Sequence, residues 1–73
     1  MPDTKKFIRS ILSEEQVSEL NRLIKIKDSE TRQTQLKLFF HTPEIFNKIK
    51  PTVDPTWLSY TIFINSNSRT YEF

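Results

Sequence analysis

No glycine occurs anywhere in this chain of 73 residues. Glycine takes positive φ at no steric cost and lets a backbone approach a ligand closely. Without it the phosphate-binding P-loop, the dinucleotide fingerprint and the nucleophile elbow cannot be built as their motifs require. Every turn must come from other residues, and asparagine is the natural substitute at positive φ. Cysteine is also absent, which removes disulfides, thiolate nucleophiles and cysteine-based zinc or iron–sulfur sites. Alanine is missing too, while Lys, Ile, Asn, Phe, Ser and Thr are plentiful. That bias fits an AT-rich coding sequence such as a phage or mobile element carries.

At this length the chain reads as a single domain over residues 1–73, with a polar, frayed start at 1–6. A domain so small buries only about 60% of its unfolded surface, so large side chains must supply the core. Six Phe, two Tyr and one Trp are available for that. The net charge of +2 is mild and singles out no class of partner. No apolar run approaches the ~20 residues of a membrane span. Lys5 and Lys6 precede only a short apolar stretch that Arg9 interrupts, which argues against a signal peptide. A cytoplasmic protein is the expectation.

The strongest local signal is Ser13-Glu14-Glu15-Gln16. It is a capping box, with Leu12 and Val17 at the two positions of a hydrophobic staple. Val17, Leu20, Leu23 and Ile24 then recur at helical spacing, which predicts a helix from 14 to about 26. Thr42-Pro43-Glu44 opens a second, short helix with Ile45, Phe46 and Ile49 on its buried face, and Pro51 ends it. Residues 7–12 read as a strand or the start of a helix. Leu36, Leu38 and Phe40 alternate and favour a strand over 34–40, because a helix from Ser29 would carry nothing apolar in its first two turns. Residues 57–64 form the longest run of strand formers, with Leu58, Tyr60, Ile62 and Ile64 on one face. Asn65-Ser66-Asn67-Ser68 supplies a turn, and Arg69 to Phe73 alternates as a returning strand. The predicted fold is α+β, in the order β-α-β-α-β-β with a C-terminal β-hairpin. The alternative is three helices followed by a β-hairpin.

Chemistry-bearing motifs are scarce. His41, the only histidine, makes a His-x-x-Glu pair with Glu44, and no second His or Cys completes a metal site. No nucleophile or oxyanion pattern surrounds it, so no catalytic residue, metal or cofactor is expected. Ile11 to Ile24 resembles the short strand and capped helix that open many iron- and 2-oxoglutarate-dependent oxygenases. The metal-binding residues of that family are absent, so no activity carries over.

Two binding surfaces remain. On strands, Phe39 must point away from Leu38 and Phe40, and Trp57 and Phe63 away from Leu58 and Ile62. Apolar surface on two faces suggests contact with another protein, through Phe39, Trp57, Phe63, Tyr71 and Phe73 with Arg69 at the rim. A terminal edge strand would also allow a homodimer. The sequence thus favours a small non-enzymatic interaction module, such as an inhibitor or adaptor of a host protein. The alternative is a nucleic-acid-binding protein using Lys5, Lys6, Arg9, Arg22, Lys25 and Lys27, provided these cations share one surface with an exposed aromatic.

Overall fold

Asp3 caps the first helix. In the computed structural model, which describes residues 3–73, its carboxylate accepts from the N–H groups of Lys5 and Lys6 and opens α1 (Thr4–Ile11). Met1 and Pro2, part of the start expected to fray, lie outside the described residues. Ile8 and Leu12 are buried, with Phe7 and Ile11 packed against the same cluster. Those four positions form one stripe at a period of 3.6, and Arg9 falls outside it. The segment expected as the first strand, 7–12, is therefore helical.

Ser13 caps α2 (Glu14–Leu23) through the full capping box: its hydroxyl accepts from Gln16 N–H, and the Gln16 side chain accepts from Ser13 N–H. Leu20, Leu23 and Ile24 are buried, and Leu12 and Val17 both join the core. Asp28 then caps α3 (Ser29–His41), accepting from Thr31 N–H at 2.8 Å and from the Thr31 hydroxyl at 2.6 Å. Those two bonds, the hydroxyl's first, hold the Asp28 carboxyl below the usual aspartate range.

The buried face of α3 is Arg32, Leu36, Phe39 and Phe40. That face explains why 34–40 is not a strand. An arginine fills the position in the early turns where an apolar residue was missing. Thr42 closes α3 and opens α4 (Pro43–Ile49) with no linker between them. Its hydroxyl donates back to the Leu38 carbonyl and does not cap α4.

Asp54 caps α5 (Pro55–Asn65), accepting from Thr56 N–H at 3.0 Å, with Pro55 in the first turn. Pro55, Leu58, Ser59 and Ile62 are buried at helical spacing. The run expected as the central strand of the sheet is thus a helix. Residues 69–73 form no strand either. They run back along α2, where Asn21 donates to the Phe73 carbonyl and accepts from Phe73 N–H at 2.8 Å. The described residues contain five helices and no strand, which overturns both the α+β order and the hairpin alternative. The expected use of Asn65 or Asn67 at positive φ also fails, since no described residue has positive φ.

α3 lies at the centre of the packing, against α2, α4 and α5, while α1 packs on α2. α3 and α5 run antiparallel. Arg32 near the start of α3 reaches Ser66 past the end of α5, and His41 at the end of α3 meets Thr56 at the start of α5. Phe40, Leu36, Ile8, Leu20, Ile49 and Ile62 are fully buried in one cluster. Phe40→Ala should cost about 3–5 kcal/mol, through lost transfer energy plus a cavity, read as a shift of the urea midpoint. Asp28 is acid-sensitive in a defined direction. Its lowered folded-state pKa adds stability above the unfolded aspartate pKa of about 3.9, and that stability is lost as pH falls through the folded value. Asp28→Asn should flatten the fall in stability below about pH 4 on acid titration followed by circular dichroism.

Candidate functional site

Helix α5 carries no charged residue, and its outward face is apolar. Trp57 is 54% exposed, Tyr60 56% and Ile64 47%. Their spacing of i, i+3 and i+7 places them on one stripe, roughly 180° around the helix from Pro55, Leu58 and Ile62. An amphipathic surface helix has polar groups there, and α5 has an indole, a phenol and a branched alkyl group. Leu38, 60% exposed on α3, is the other large hydrophobe in water.

Of the residues expected to bind a protein, Trp57 alone lies on this stripe. Phe39 is a core residue, edge-on to Phe40 at 5.1 Å between ring centroids. Neighbouring positions on a helix can share a broad buried face, so the two phenylalanines need not diverge as they would on a strand. Phe63 is half-buried, with the Arg32 guanidinium 5.3 Å from its ring centroid. Phe73 is buried and pinned by Asn21, which also removes the terminal edge strand proposed for a homodimer. Tyr71 packs edge-on to Phe73 and lies under the Lys5 ammonium at 4.8 Å. Burial raises the Tyr71 phenol above its ordinary value, opposed by a hydrogen bond from Asn65 and assisted by the charge of Asp3. Arg69 is exposed beside Tyr71.

Tyr60 and Ile64 are the stripe residues that a period of two hides. It puts them with Leu58 and Ile62 on the core side, whereas the helix turns them outward. The clue lies in Asp54-Pro55, a cap followed by proline at the first helical position. It has the same form as Thr42-Pro43, which does mark α4.

The cations expected for nucleic acid divide. Lys25 and Lys27 line one cleft, together with Arg32 and Arg69. Lys5 approaches that cleft through Tyr71. Arg22 is paired with Glu19 on the exposed side of α2, Arg9 lines a separate depression next to Glu14 and Phe73, and Lys6 is exposed on α1. Among the described residues no three His, Asp or Glu side chains gather as a metal site. His41 accepts no such role by geometry: its Nδ1 lies 2.7 Å from the Lys37 carbonyl and its Nε2 3.2 Å from the Thr56 hydroxyl. A carbonyl can only accept, so Nδ1 carries a proton, and in the neutral ring Nε2 accepts from Thr56. Glu44 turns instead to Gln16, whose amide donates to it at 3.2 Å. No described helix is long and apolar enough to cross a membrane. No family model, curated protein or solved structure matches the chain.

The exposed stripe and the core make opposite predictions for the same kind of truncation. Trp57→Ser and Ile64→Ser should change unfolding free energy by less than about 0.5 kcal/mol, whereas Leu58→Ala or Ile62→Ala should cost about 2–5 kcal/mol. Chemical denaturation of the four single variants measures both.

Proposed function

We propose that this chain is a non-enzymatic protein-interaction module that presents α5 to an apolar groove of another protein. The stripe of Trp57, Tyr60 and Ile64 carries the reading. Anchors at i, i+3 and i+7 are the pattern by which one helix lays its apolar face into a groove, and Trp and Tyr are the residue types that most often dominate such contacts. The absence of charge along α5 means that docking desolvates no ion.

A symmetric homodimer through this face fits less well. Three half-exposed side chains offer on the order of 300 Å², against about 800 Å² per partner in a standard interface. A groove that wraps α5 from both sides gains further contact from the helix flanks. An inhibitor or adaptor of a host protein has these requirements, and the small size and coding bias suit one from a phage or mobile element.

The test places a photoreactive phenylalanine analogue at position 60 in cells that make the protein. A discrete heterologous adduct that disappears with Trp57→Ser and with Ile64→Ser, and that is not formed from the same analogue at position 30, supports the reading. No adduct, or an adduct indifferent to both substitutions, overturns it. An adduct of twice the chain's own mass also overturns it, because the occupant is then a second copy.

A further inference from the structure

The end of α5, the α2–α3 connection and the C-terminal tail enclose an open cleft of about 640 Å³ whose charged lining is wholly basic. Arg32 lies in its wall and is only 7% exposed. Its guanidinium donates from Nε to the Ser66 hydroxyl at 2.9 Å, from Nη1 to the Ile26 carbonyl at 2.7 Å and from Nη2 to the Asn67 side-chain oxygen at 2.6 Å. All three acceptors are neutral. The bonds satisfy geometry and leave the positive charge without a contact carboxylate. Lys25, Lys27 and Arg69 surround the same space, with Ser66, Asn67 and Ser68 adding short polar groups and Tyr71 an aromatic wall.

Three carboxylates bear on this cleft, among them Asp3, whose charge acts on Tyr71. Glu72 lies 3.5 Å from Lys25 Nζ, and Asp28 acts on Arg32 while its oxygen is engaged by Thr31. Lys27 and Arg69 enter no salt bridge among the described residues. The C-terminal ends of α2 and α5 add partial negative charge, about half a unit each, which does not balance the excess. Arginine forks with neighbouring hydroxyls and lysines match the tetrahedral, multiply accepting oxygens of phosphate better than a flat carboxylate.

We propose that this cleft binds the phosphate groups of a nucleotide-sized or larger ligand, with Lys27 and Arg69 as the accessible contacts and Arg32 as the buried source of charge. It is a second site, independent of the α5 stripe. Phosphate can reach it as a small free anion or as the backbone of a single strand, and these sources differ in salt dependence and in competition.

The experiment uses the intact chain with two probes: inorganic pyrophosphate, followed by calorimetry, and a fluorescein-labelled ten-residue oligothymidylate, followed by anisotropy at roughly 50 and 200 mM salt. Lys27→Gln with Arg69→Gln should weaken either probe by at least tenfold. Arg9→Gln with Lys37→Gln removes the same net charge from other surfaces and should weaken binding less than twofold. Trp57→Ser should leave it unchanged, which keeps this outcome separate from that of the α5 reading. Melting curves of both double variants should overlay the wild type, because all four side chains are exposed. Pyrophosphate binding that the oligonucleotide does not surpass assigns a small phosphate ligand. Tighter oligonucleotide binding that falls steeply with salt assigns a single strand. Binding of neither probe, equal loss in both double variants, or equal competition by polyglutamate overturns the proposal.

Discussion

A guanidinium almost out of contact with water ties the α2–α3 connection to the residues that follow α5. Arg32 takes one acceptor from the α2–α3 connection and two from the residues that follow α5, and its charge sits over the Phe63 ring. A buried cation is costly unless its donors are satisfied, and here each nitrogen has a partner. Those bonds fix where α3 begins relative to where α5 ends. His41 and Thr56 register the opposite ends of the same pair. The antiparallel seam between α3 and α5 is thus set by polar contacts at its termini and filled by Leu36, Phe40, Leu58 and Ile62 between them.

Packing that inner seam determines what α5 shows to solvent. Once Pro55, Leu58 and Ile62 face inward, helical geometry leaves Trp57, Tyr60 and Ile64 no choice but to face outward. The apolar stripe and the basic cleft are consequences of one placement: the stripe is the far side of α5, and the cleft opens where Arg32 meets its end. One surface is uncharged and suited to a protein groove. The other is cationic and suited to phosphate.

Helices α2 and α4 are legible from the chain, and α1, α3 and α5 are not, for a physical reason. Ser13 to Gln16 and Thr42 to Glu44 mark α2 and α4 because a capping box and a first-turn proline adjoin clean apolar stripes. In α3 the stripe opens with Arg32, so a helix lacks its usual apolar signature until Leu36. In α5 apolar residues occupy both faces, and a helix that is apolar all round has no period to read. Isoleucine, threonine and aromatic content then pulls the reading towards strands, although tertiary packing overrides such preferences. Asp28 and Asp54 were the available correctives, since each precedes a helix that its side chain caps. The same misreading of period split the candidate site. Trp57 is legible because it faces out on either account, whereas a strand reading sends Phe39 and Phe73 to a surface they do not reach and groups Tyr60 and Ile64 with the buried Leu58 and Ile62.

No residue of the described chain needs a left-handed conformation. Helices end instead in right-handed turns, as at Ile24, Lys50 and Ser66, or in extended residues, as at Leu12 and Thr42. The effect extends to the denatured ensemble. A backbone without glycine wanders over fewer conformations before it folds, and each site where glycine is replaced without strain favours the native state by about 0.4–1 kcal/mol. For a domain with no disulfide, part of the native state's margin thus lies in the narrowness of the alternative.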